Sequence, residues 1–163
     1  MKKFSVLAVC ILLALMVAVP AWAGKDDLVD GFLGLAWGAS ADKLANKTKV
    51  EDADVPEGLD VVAYSVTGVQ LGGIKVDEIQ YFFYKDQFTQ AVMNHSDFKA
   101  LSEALIKEYG KPDAEQGNGM LNWIVMKDMD NNEMITVGTV PGQDVAAVVN
   151  TKYFIQLMEA MSQ

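Results

Sequence analysis

The chain has 163 residues and is acidic: 13 lysines oppose 22 aspartates and glutamates, the net charge is −9, and there is no arginine. Without a guanidinium fork or a basic excess it is poorly suited to nucleic acid, whose binding rests on basic phosphate contacts, or to anionic lipid surfaces. Its single cysteine, Cys10, excludes an intrachain disulfide.

The chain opens with Lys2 and Lys3, an apolar run of 16 residues from Phe4 to Val19, then Pro20 and Ala21-Trp22-Ala23. Charge, apolar run and small-residue exit in that order predict an export signal cut after Ala23, and so a bacterial periplasmic protein. A retained anchor is the competing reading, but a membrane span needs roughly 20 apolar residues. Leu7-Ala8-Val9-Cys10 resembles a lipobox only loosely, since Val9 is bulky and Cys10 sits inside the apolar run. Cleavage leaves residues 24–163 as a single domain long enough for its own core. That product has 11 lysines against 22 acids, a net charge of −11, and no cysteine. Thiol catalysis and cysteine metal sites are thereby excluded.

In the mature part, residues 24–30 read as a loose polar leader, and Phe32 to Gly38 as an apolar stretch cut by glycines. Ser40 predicts a helix N-cap, with Asp42 in the first turn and the helix ending near Thr48. Residues 50–58, with four acids and Pro56, read as a loop. Three strands follow at 59–67, 74–84 and 88–94. A bulge is expected near Asp77-Glu78, where the alternation shifts, and a tight turn at Lys85-Asp86-Gln87.

The strongest helical signal comes next. Phe98, Leu101, Leu105 and Tyr109 form a stripe, Ser96 or Asp97 caps it, Glu103 and Lys107 are spaced i,i+4, and Gly110 with Pro112 ends it. Strands are expected at 120–127, 134–140 and 145–149, and a last helix from Thr151 carries Tyr153, Leu157 and Met161 on one face. The order is αβββ-αβββ-α: an α+β domain with an antiparallel sheet of about six strands and two to three helices on one face. The repeated order is compatible with an internal duplication.

Few residues form a chemical constellation. His95 is the only histidine, next to Ser96 and Asp97, but triads are assembled from separated positions and neighbouring side chains on an extended segment diverge. The alternating oxygens of Asp128, Asp130 and Asn132 resemble half a calcium loop, yet Glu133 and Thr139 stand where that loop needs Gly and a bidentate Glu. A polar hairpin turn accounts for them better. Met126, Met129 and Met134 lack the histidine or cysteine of a copper site. No pair of carboxylates is singled out by spacing for glycoside chemistry. No cofactor or metal is therefore expected. The remaining lead is aromatic. Phe82 and Tyr84 alternate out of phase with Tyr81 and Phe83, so they face away from a one-sided helix layer and, with Trp37, Trp123 and His95, are candidate binding residues.

Phe32-Leu33-Gly34-Leu35-Ala36-Trp37-Gly38-Ala39-Ser40 and the helix exit Tyr109-Gly110-Lys111-Pro112 carry a resemblance. They resemble the F-x-G-I-P-W-G-x-S opening and Y-G-K-P exit of a group of small uncharacterised exported bacterial proteins, with Ala36 in place of the usual proline. The resemblance implies a small envelope α+β domain and carries across no catalytic residue. The sequence reading is a non-enzymatic periplasmic module that binds an envelope protein or a small apolar ligand. The alternatives are a small carboxylate-dependent hydrolase and an acidic inhibitor of a secreted cationic enzyme such as lysozyme.

Overall fold

The computed structural model describes residues 25–162 other than Pro56 and Asn132, so the expected export signal lies outside the described residues. The segment read as a loose leader is instead the short helix α1 (Asp26–Asp30), with Leu28 only 2% exposed. The strands β1 (Gly31–Phe32) and β2 (Leu35–Ala36) form a hairpin, turned by Leu33 and Gly34 at φ 48° and 83°. The helix expected from Ser40 to Thr48 shrinks to a 3₁₀ turn, Ala41–Lys43. Leu44 alone cannot make an apolar stripe. The turn is held from outside instead: Asp86 accepts the Ala41 N–H at 3.0 Å and the Ser40 hydroxyl, and Lys47 Nζ donates to Ala41 O.

The next strands are β3 (Thr48–Lys49), β4 (Val61–Thr67), β5 (Gln70–Leu71), β6 (Ile74–Lys75), β7 (Glu78–Tyr84) and β8 (Gln87–Asn94). After α2 (Phe98–Tyr109) come β9 (Ala114–Glu115), β10 (Leu121–Asp128), β11 (Glu133–Val140), β12 (Val145–Asn150) and α3 (Thr151–Met161). The main sheet has eight strands, all antiparallel, in the order β3-β4-β7-β8-β12-β11-β10-β9. The α+β class and the antiparallel sheet stand; the count of about six strands and the order αβββ-αβββ-α are corrected. The two-residue edge strands β3 and β9 are too short to carry a periodic signal. The β5–β6 hairpin is inserted into the first meander as a sheet of its own. The order is mirrored about the centre: meanders β4-β7-β8 and β10-β11-β12 meet through their last strands.

The expected bulge at Asp77-Glu78 is a junction where the chain leaves β6 for β7. The irregularity lies in β8, where the register passes from Phe82↔Gln90 to Phe83↔Phe88 and Thr89 is the extra residue, its hydroxyl donating to Phe82 O at 3.1 Å. Lys85 and Asp86 make the tight turn at φ 49° and 61°. Asp97 caps α2 by accepting the Ala100 N–H at 3.0 Å, and Gly110 ends it at φ 78°. Glu103 pairs with Lys99 at 3.8 Å, one turn earlier than the Lys107 partner expected. Asn150, not Thr151, caps α3, while the Thr151 hydroxyl accepts the Met134 N–H at 2.8 Å.

Residues opposite one another in an antiparallel sheet share a face, so the registers define two faces. The inner face carries Ile79, Tyr81, Phe83, Ala91, Met93, Trp123, Val137 and Val148, covered by α1, the β1–β2 hairpin and α2 through Leu28, Phe32, Leu101 and Leu105. The outer face carries Ala63, Phe82, Val92 and Ala147, packed by Val50, Ala53 and Val55, and Tyr84 and Val149, packed by Phe154 and Leu157 of α3. Helices thus lie on both faces, not one. An outer face bearing Phe82, Tyr84 and Val149 is too apolar to be left to water, and α3 takes its place there.

Candidate functional site

The five residues singled out in the sequence fall in three places. Trp37 and Trp123 belong to the inner core and are 7% and 0% exposed. Trp37 stacks on Phe88 at 4.7 Å and 2°, and its indole N–H donates to Leu28 O at 2.9 Å. Trp123 donates to Gly110 O at 2.8 Å beside Tyr109. Each indole has its polar atom bonded to backbone, which is how a buried tryptophan is built into a core. Phe82 and Tyr84 share the outer face and are covered, at 1% and 6% exposed.

His95 stands apart, just past β8, at the end opposite the Tyr84–Gln87 turn and about 25 Å from it along the strand. Its Nδ1 lies 3.3 Å from Asp77 Oδ1 without hydrogen-bond geometry. Asp77 is engaged mainly by Ser96: the Ser96 N–H at 2.7 Å, and then its hydroxyl, hold the carboxyl below the usual carboxylate range, with the His95 charge a smaller contribution. The Ser96 hydroxyl therefore serves Asp77, and the cluster closes the junction between β8 and α2. The Asp128 carboxylate is likewise held by its own turn. It accepts from Asp130 N, Asn131 N and Asn131 Nδ2 at 3.0, 3.2 and 2.7 Å, and these bonds lower its pKa, those from Asn131 most. Among the described residues no three His, Asp or Glu side chains converge as metal ligands, and no helix is long and apolar enough to cross a membrane.

The outer face holds what sequence reading passed over. Gln90 lies opposite Phe82 and Val149, and Asn122 lies opposite Gly138, which in turn faces Ala147. Both amides are 3% exposed, yet Gln90 Oε1 and both Nδ2 and Oδ1 of Asn122 have no hydrogen-bond partner among the described residues. A buried amide left unpaired costs about 1–3 kcal/mol, and native structures rarely accept it without a reason. The signal available in sequence was an amide residue inside a predicted strand, Thr89-Gln90-Ala91 and Leu121-Asn122-Trp123, since Asn is depleted in strands and both amides are mostly exposed residues. Beside this region, between loop 50–55 and β4, a cleft of about 180 Å³ is lined by Val50, Ala53, Val55, Val61 and Ala63, with Lys49 and Glu51 paired at 3.2 Å on its rim. It is smaller than the roughly 300–1,000 Å³ of ordinary small-molecule sites.

Comparison of the chain with protein-family models, curated proteins and solved structures returns no match.

Proposed function

We infer that this is an exported, periplasmic binding module without catalytic activity, and that its outer sheet face is the binding surface. The observation that carries the reading is the set of amide atoms of Gln90 and Asn122 without a partner among the described residues, on a largely apolar face. Polar groups kept at a cost to stability and without a structural partner are characteristic of functional surfaces. The small cleft under loop 50–55 argues for a ligand laid along the face rather than enclosed in a pocket. The resemblance of Phe32–Ser40 and Tyr109–Pro112 to small envelope proteins is in keeping with the same reading.

The test uses protein recovered from the periplasm of an expressing bacterium. Its intact mass places the N-terminus at Gly24; a mass retaining residues 1–23 overturns cleavage. Apolar and peptide ligands raise its melting temperature, since a ligand that binds only the folded state stabilises it by mass action. A melting temperature unmoved across the panel, with nothing captured from envelope extract, overturns the binding assignment.

A further inference from the structure

We propose that the outer face takes an extended peptide segment of a partner, neutral or basic in charge, and reads its main-chain amides through Asn122 and Gln90. The inference deepens the binding reading above and rests on it.

The side-chain amide of Asn122 presents an unpaired donor and an unpaired acceptor side by side. That pair matches the N–H and C=O of a peptide unit, and Gln90 Oε1 adds an acceptor for a second N–H. A hydrocarbon ligand leaves all three atoms unsatisfied, so the face discriminates against it. Across the sheet from Asn122 the row is low, Gly138, Ala147 and Val92, so a backbone can lie close to the strands there, while the row from Gln90 carries Val149 and Thr136. The amides are three strands apart and offset by two residues along the strand. At ~4.8 Å per strand and ~3.3 Å per residue they are roughly 16 Å apart, the length of about five extended residues. The processed chain, with 11 lysines, 22 acids and no arginine, disfavours an acidic segment.

Both amides are withdrawn from solvent, so entry requires a cover to move. Loop 50–55 is the easier one to displace. Its backbone meets β4 through Val50 N–H to Ala63 O at 3.0 Å, and the cleft of about 180 Å³ already separates it from the sheet.

The experiment is calorimetric titration of the exported protein with two probes. One is the capped peptide Ac-Lys-Val-Ala-Val-Ala-Val-Lys-NH₂; the other is dodecanoate, which has no amide. The peptide is expected to bind at least tenfold more tightly than dodecanoate. A peptide N-methylated at alternate amides should lose at least tenfold, and so should the parent peptide on Asn122→Leu. The same substitution should raise the melting temperature of the free protein, because leucine keeps the branched shape of asparagine without an orphaned amide. Unchanged binding to Asn122→Leu, or to the N-methylated peptide on the wild-type chain, overturns the proposal; the second comparison needs no variant to fold. Dodecanoate binding as tightly as the peptide overturns the peptide assignment and leaves the binding module standing. Binding of neither probe overturns the peptide assignment, and the binding module falls with it only when the ligand panel and the envelope extract are silent as well.

Discussion

Lys25 shows how far a single residue can depart from its local sequence. It sits among polar neighbours and reads as part of a loose leader, yet its side chain is 4% exposed and paired with Asp113, 6% exposed and 88 residues away. No local pattern encodes such a pairing. Asp113 also accepts the Ile124 N–H at 2.6 Å, so one carboxylate closes both the start of the described chain and the outer edge of β10. Removing one partner of a buried ion pair strands the other charge. Asp113→Ala is therefore expected to lower unfolding stability by about 3–5 kcal/mol, read from urea midpoints. The double variant Lys25→Met/Asp113→Leu should recover most of that loss, because two apolar side chains replace two charges in the same dry site. A double variant no more stable than Asp113→Ala would assign the loss to the Ile124 bond alone.

Elements were legible where one segment carried its own instructions. α2 has a cap, a stripe and a glycine stop within its own residues, and its bounds follow from them. The Lys85-Asp86 hairpin was equally local. The 3₁₀ turn at Ala41–Lys43 differs from the longer helix its own residues predict because its cap is supplied by Asp86, 45 residues on. The outer-face amides carry only a faint local signal for a related reason: their burial depends on the registers of β8, β12, β11 and β10 together. The β5–β6 hairpin shows the same dependence between elements. Gly72, at φ +55°, donates its N–H to Glu108 at 3.1 Å, and a Cβ there would lie 2.1 Å from the backbone oxygen of Ala104 in α2. Gly73, at φ +93°, would put its Cβ 2.7 Å from Lys107 Nζ, the free end of a flexible side chain. Both alanines incur the left-handed cost of roughly 1–2 kcal/mol. Only Gly72→Ala must also push the hairpin off α2, so it should be clearly the more destabilising in thermal melts. Equal losses at the two positions would contradict the close packing of hairpin and helix.

At the scale of the whole molecule, the sheet divides the protein into two unlike halves. The inner face is a closed aromatic and aliphatic core; the outer face is covered by a loop and α3 and keeps unpaired amides. Titration should report the two kinds of burial from opposite ends of the pH scale. At the surface, Asp77, Asp86 and Asp128 are held below their ordinary pKa by the bonds they accept, chiefly from Ser96, Ser40 and Asn131. A lowered folded pKa gives stability that is present above the ordinary carboxylate value and lost as pH falls through the folded one, so a shallow acid decline is expected below about pH 3.8. In the core, burial pushes the Tyr81 phenol up to about 12, and pushes Tyr109 up as well with help from Glu108. There the folded state holds its proton where the unfolded state has released it. The stabilisation is complete below the ordinary phenol value near 10 and drains away as pH rises from there towards 12. For Tyr81, a phenol that titrates at about 12 in place of 10 corresponds to roughly 2–3 kcal/mol. Urea midpoints at pH 8, 10 and 11.5 should fall steeply over the last interval for the wild type. Tyr81→Phe has no phenol to ionise, so it should lose visibly less over that interval, whatever its stability at pH 8. Parallel declines in the two proteins would mean that lysine deprotonation, common to both, governs the alkaline limb.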